Sequence, residues 1–388
     1  MRRRLITVVT ALLVLAGAVA TPAGAQEDDP PEYANPKVMT LNLYVGADLQ
    51  SFDPALILGS IVATNFRERA ATIAEEIDDR NPDLIGLQEV SNLFVTAPTD
   101  GVCNRDKLGP LVTEGPFGIA FDYLDILEAA LVAEGEDYFV AAEVTNARVS
   151  LPILDSNGAP IACGNLIDRD VTLARSSTVE LIDDQYVENP RSGNYDVNYQ
   201  LPFLPDPPLI EFTRGWTEVD VEVRGSTLTF ANTHLEVEPD LGTSPPAGLC
   251  GPLTNLFPCQ IPQAQELVGV LADNPYPTIL VGDFNSEPGS GLGYDVIAGA
   301  GFVDAWDIRL LGIAQQENTC CQDPDLLNLF SNLPKEDGQR IDIVFIRVDS
   351  EPTSLSTVVF DRFWEKTPSG LWPTDHGSVV SRLIYPKP

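Results

Sequence analysis

Basic side chains are scarce in this sequence: 23 Lys and Arg stand against 57 Asp and Glu in 388 residues, a formal net charge of −34. A protein that coats nucleic acid neutralises phosphates with a basic stripe, so that class is excluded, and a processive DNA-binding enzyme is disfavoured. Histidine is scarcer still, with His234 and His376 the only two. The six cysteines include no C-x-x-C spacing, which argues against a structural zinc site. A G-x-S-x-G elbow and a P-loop are both missing, so neither a serine hydrolase nor an NTPase is indicated. No internal repeat and no linker between two cores is visible, and one elaborated domain is expected.

What is present is enough apolar material for a core, 44% hydrophobic and 8% aromatic. Arg2, Arg3 and Arg4 precede an apolar run from Leu5 to Ala20, shorter than the ~20 residues of a membrane span, and Ala23-Gly24-Ala25 follows as a signal-peptidase pattern. Residues 1–25 therefore read as a signal peptide, residues 26–36 as an acidic tail and 37–385 as the domain of a secreted protein. Removing the three arginines leaves 20 basic against 57 acidic side chains, a net of −37. Solubility is the plainer reading of that charge, and repulsion of polyanions the other. In an exported chain the cysteines suggest disulfides, with Cys250–Cys259 the first pairing and Cys103–Cys163 the second. A bridge between the adjacent Cys320 and Cys321 would be strained.

Hydrophobic periodicity predicts strands over 37–43, 84–90, 217–223, 227–235, 278–284, 340–347 and 378–383. It predicts helices over 65–80, 122–134, 263–272 and 292–298, with Phe66, Ala70, Ile73 and Ile77 on one helix face. Residues 91–215 are less regular, with short strand-like runs at 139–144 and 171–174. The alternation of strands and helices indicates α/β layers.

Several apolar strands end in polar groups. In TILVGDFNSEP, Ile279, Val281, Asp283 and Asn285 share a parity, and in LTFANTHLEV so do Leu228, Phe230, Asn232 and His234. Glu89 ends DLIGLQEV, Asp342 sits between isoleucines in QRIDIVFIR, and Asp375-His376 precedes the last strand. A carboxylate buried in such a strand needs a partner.

These motifs, with Asn42 in MTLNLYVG, resemble the endonuclease/exonuclease/phosphatase superfamily in content and order across residues 37–384. The resemblance implies a four-layered α/β sandwich, two packed mixed β-sheets flanked by helices, with a metal-dependent phosphoesterase site at one edge. It implies that Asn42 and Glu89 serve the metal, that Asp375 serves the metal or the leaving group, and that Asp283 orients or deprotonates water. Asn285 and His234 would contact phosphoryl oxygens, and Asp342 would bond His376. Oxygen donors of this kind suit Mg²⁺, or Mn²⁺ or Ca²⁺, better than zinc. Whether Asp283 or His376 is the base stays open at this point. For the substrate phosphate, LIDRDVTLARSS offers Arg169 and Arg175. The loop 238–262 reads equally as a substrate-facing rim and as a surface insertion. The expected partner is a phosphate ester, lipid or small molecule, with nucleic acid disfavoured by charge and no protein partner inferred. An extracellular nuclease, a sphingomyelinase-like lipid phosphodiesterase helped by Trp364 and Trp372, and a non-catalytic binder on the same fold are the alternatives.

Overall fold

The structure is a computed structural model and describes residues 33–47, 54–182, 191–200, 210–237, 249–250, 259–310, 318–328, 338–348, 353–360 and 366–387. Residues 33–388 form one compact unit. The expected signal peptide, most of the 238–262 loop and Trp364 therefore lie outside the described residues.

Two mixed sheets, of ten and seven strands, pack face to face. The first contains β1 (Lys37–Asn42), β2 (Leu84–Gln88), β3 (Asn92–Thr96), β4 (Tyr138–Leu154) and β5 (Pro160–Arg175), with β10 (Ser378–Pro386) beside β1. In the second, β6 (Gly215–Val223), β7 (Ser226–His234), β8 (Thr278–Asp283) and β9 (Asp342–Arg347) lie side by side. The β1/β2 and β7/β8 pairs are parallel, whereas β6/β7 and β8/β9 are antiparallel.

Period-two alternation builds the layers. Val38, Leu84, Ala174, Phe230, Ile279 and Val281 meet between the sheets. Their neighbours Met39, Ile85 and Leu173 turn outward onto α2 (Phe66–Arg80) and α3 (Tyr123–Glu134). On the other side Ala231, Leu280 and Phe345 pack under α4 (Gln260–Leu271) and α5 (Leu292–Gly299). Each large side chain so buried contributes roughly 1.5–3 kcal/mol. The sheets approach closely where Gly86 faces β7 and β8. A Cβ there would lie 2.7 Å from Asn232 Oδ1 and 2.5 Å from Val281 Cγ2. Glycine is required by that spacing, not by its turn-forming freedom.

α2 ends as the sequence predicts, with Asn81 in the left-handed region (φ 50°) before Pro82, its N–H donating to Ile77 O. Two features exceed expectation. β4 and β5 run far beyond the predicted short segments, because register shifts near Ala141, Asn146 and Leu154 break the alternation that marks a strand. A further helix, α1 (Pro54–Ala63, PALILGSIVA), carries no charged residue and so shows no polar stripe to read. No helix among the described residues is long and apolar enough to cross a membrane.

Cys103 and Cys163 form the expected disulfide, with Cα atoms 5.5 Å apart. Cys320 and Cys321 are joined to each other. Cys259 is disulfide-bonded, and the side chain of Cys250, its expected partner, lies outside the described residues. Trp372 is 2% exposed, so it offers no aromatic surface to a membrane.

Candidate active site

Strand register assembles the site. His234 pairs with Asp283 across β7/β8, and Asp283 pairs with Asp342 across β8/β9, so three strand ends present these side chains in one row. In the facing sheet Asn42 pairs with Gln88 at the ends of β1 and β2. Buried amides lock the sheets together: Gln88 Nε2 donates to Asn232 Oδ1 at 2.6 Å, and Asn232 Nδ2 donates to Leu87 O and Val171 O at 3.1 and 3.2 Å. The two rows therefore meet.

Asn42 bridges them. Its Nδ2 donates to Asp283 Oδ2 at 3.1 Å and to Glu89 Oε1 at 3.2 Å. Glu89 Oε2 accepts from Val45 N at 2.8 Å. Both Glu89 (φ 54°) and Asn285 (φ 46°) adopt the left-handed region, a cost that a packed site absorbs. Asn285 N–H donates to Asp283 Oδ1 at 2.9 Å, and Asn285 Nδ2 donates to Leu235 O at 2.9 Å.

The two histidines are driven apart electrostatically. His376 Nδ1 lies 2.8 Å from Asp342 Oδ2; a carboxylate only accepts, so this nitrogen carries a proton. Burial opposes charge on His376, yet Asp342, Asp375 and Asp283 outweigh it and hold the imidazole well above its ordinary range. Its Nε2 lies 3.8 Å from Asp283 Oδ2 and 4.0 Å from Asp375 Oδ1. His234 goes the other way: burial, then Arg214 and His376, push it well below the ordinary value. Arg214 Nη1 approaches His234 Nδ1 at 3.0 Å, while His234 Nε2 lies 3.5 Å from Asp283 Oδ2. Arginine only donates, so the ring nitrogen facing it accepts, as a neutral imidazole does.

Burial is also the largest effect on the acids. It raises Asp283, with help from Asp342, to about 7, and Asp375, with help from Glu89, to about 7. Asp168, beside Glu89, is raised in the same way to about 7. These folded values exceed the unfolded one of 3.8, so the fold binds protons more tightly than the unfolded chain between about pH 4 and 7. The site's stabilising contribution is then complete below about pH 4 and is lost as pH rises towards about 7; His234, depressed well below 6.5, acts in the opposite sense from its lowered value up to 6.5. The metal-free protein is expected to show this as a falling Tm over pH 5–7.5, with a shallower fall in Asp283→Asn. Equal slopes in the two proteins would contradict it.

Of the sequence-predicted residues, Asn42, Glu89, His234, Asp283, Asn285, Asp342, Asp375 and His376 come together. Arg169 and Arg175 do not. Arg169 is held by Asp122, Glu143 and the Val90 carbonyl. Arg175, at the far end of β5, is occupied by Glu136, Tyr138 and Pro82 O. Both are consumed in tying strands to neighbouring helices and loops. The guanidinium that does reach the site is Arg214, ion-paired with Glu236 at 3.3 Å. Its signal was the hairpin register, since Gly215 lies opposite His234.

Two sets of ligand-type groups lie with their atoms within 4.8 Å of one another: Asp283, Asp342 and His376, and Cys320, Cys321 and His376. A protonated imidazole has no lone pair to give, and disulfide sulfurs are not thiolates, so neither set is a complete cation site as it stands. Asp375 Oδ1, by contrast, is buried with no hydrogen-bond partner among the described residues.

Solved structures of known proteins resemble this chain in fold. An endonuclease/exonuclease/phosphatase family protein from Leptotrichia buccalis superimposes with a TM-score of 0.50 at 13% identity, covering 89% of this chain and 98% of that one. A family protein from Bacteroides vulgatus gives 0.49 at 16%, with 90% and 98% covered. A mannosyl-6-phosphatase from Bacteroides thetaiotaomicron gives 0.48 at 15%, with 90% and 99% covered. No curated protein matches the sequence. The model of the Endonuclease/Exonuclease/phosphatase family matches residues 39–376, a span that begins in β1 and ends on His376. The chain belongs to the endonuclease/exonuclease/phosphatase family and is a metal-dependent phosphoesterase.

Proposed function

We propose that this is a secreted hydrolase of a lipid-derived or small-molecule phosphate ester, acting by in-line attack of water with Mg²⁺, or else Mn²⁺ or Ca²⁺. The observation that carries the reading is the convergence on Asp283 of Asn42 from one sheet and His234 and His376 from two other segments. The crowded, all-oxygen acids fit a hard cation, because Asp375 Oδ1 is buried and accepts no hydrogen bond among the described residues. Asn42, Glu89 and Asp375 would hold it, and when bound it neutralises charge on the phosphoryl group.

The protein's own groups divide the remaining work. Asp283, with its carboxyl near 7, is matched to accept a proton from water at neutral pH. His376, kept cationic by Asp342, cannot be that base while charged; it supports phosphoryl oxygens or donates to the leaving group. Neutral His234 and Arg214 add donors on the opposite flank, and Asn285 a further amide. The net charge of −34 disfavours a long polyanion as substrate. Export is supported by the basic, apolar and A-x-A sequence of residues 1–25 and by the Cys103–Cys163 bridge.

The test is hydrolysis of bis-p-nitrophenyl phosphate, then of DNA, RNA, sphingomyelin, inositol phosphates and simple diesters, with Mg²⁺ or with EDTA. Chelation is expected to cost roughly 10²–10³-fold or more, restored by added metal. Full turnover in excess chelator removes the metal dependence, and a preference for long DNA removes the substrate class.

A further inference from the structure

We infer that Arg69 is a positioning residue for the cation site, bolting the chain segment after Asn42 to the segment before Asp375. The inference rests on the metal-dependent reading above and names a residue that reaches the site through main-chain carbonyls.

Arg69 lies on α2 and is fully buried. A buried guanidinium is ordinarily matched with a carboxylate. This one spends its fork on main-chain carbonyls from three loops. Nη1 donates to Leu43 O at 2.8 Å and to Pro373 O at 3.0 Å, Nη2 to Tyr44 O at 3.1 Å, and Nε to Thr64 O at 3.0 Å. Leu43 and Tyr44 follow Asn42 directly, and the next residue, Val45, supplies the N–H held by Glu89 Oε2 at 2.8 Å. Pro373 stands two residues before Asp375. One side chain thus spans both halves of the proposed ligand set.

The surroundings make that span rigid. The guanidinium lies 4.9 Å from the Phe66 ring centroid, 5.8 Å from Tyr123 and 5.9 Å from Tyr44. Phe66 stacks on Tyr123 at 3.6 Å, and Tyr123 OH donates to Val45 O at 2.8 Å. Thr374 Oγ1 donates to Asn42 O at 2.7 Å, a second tie between the same segments. A planar fork reaches these carbonyls at once; a lysine ammonium on a flexible stem does not.

Arg69→Lys, which keeps the charge and loses the fork, separates positioning from mere electrostatics. Mn²⁺ binding to the folded protein, followed by electron paramagnetic resonance, is expected to weaken at least about tenfold, the scale of one or two lost charged hydrogen bonds. Turnover at saturating Mn²⁺ should recover to within about threefold of wild type, since no reacting group is lost. A purely structural role would lower Tm and leave Mn²⁺ affinity unchanged, and that result overturns the inference. If Arg69→Lys does not fold, Tyr123→Phe keeps the stack and removes the hydroxyl that holds Val45 O and meets Arg69. It should weaken Mn²⁺ by about threefold, roughly one modest hydrogen bond, and unchanged affinity there is equally fatal. Wild-type protein that binds no Mn²⁺ would instead overturn the metal-dependent reading, and this inference with it.

Discussion

Asp283→Asn is expected to lower kcat by roughly three to four orders of magnitude, with KM changed only severalfold. Asparagine keeps the size but offers one acceptor oxygen where Asp283 uses two, so it keeps the bond from Asn42 or the one from Asn285 N–H and gives up the other. The larger loss is the carboxylate's capacity to take a proton, and that capacity is what a carboxyl held near 7 supplies. The same change removes one of several acids crowded in a buried space. Metal-free Asp283→Asn should therefore be as stable as wild type, or more so, at pH 7.5, because a buried charge costs the fold free energy. Steady-state kinetics with thermal melts in EDTA would check both halves. Near-normal turnover would remove Asp283 as the base, and a collapsed Tm would recast it as structural.

The layers and most site residues were legible in the sequence because both follow the period of two. Ile279, Val281 and Asp283 share a face, as do Leu228, Phe230 and His234, and the apolar members meet between the sheets while the polar ones line the strand exits. What was not legible depended on tertiary reach. Arg169 and Arg175 flank the expected run 171–174, and sequence alone could not say that acids and carbonyls on neighbouring elements would consume them. Arg214 precedes its strand in an ordinary-looking stretch, and only the β6/β7 pairing puts it beside His234. Arg69 is not among the residues that the helical periodicity singles out, although it is among the largest fully buried side chains. The long β4/β5 hairpin escaped because its bulges shift the alternation each time they occur.

His376 and Asp342 provide the second large effect, and they test whether the imidazole works as a cation. His376→Gln should cost roughly 10²–10⁴-fold in kcat, the usual span for a positioned acid–base group. Asp342→Asn leaves the ring in place but takes the charge from its partner at 2.8 Å, turning a charged hydrogen bond of roughly 1.5–3 kcal/mol into a neutral one of roughly 0.5–1.5, a loss on the order of 10-fold. The decisive readout is the alkaline limb of the kcat/KM profile. Asp342 is the largest of the three acids that raise His376, so without it the imidazole loses its proton at lower pH and the limb must move to lower pH. Were Asp342 only a strand-end support, activity would fall with the limb unmoved. Because Asp342 acts through the ring, the double variant should be no slower than His376→Gln alone, and multiplicative losses would show that the two residues serve the reaction separately.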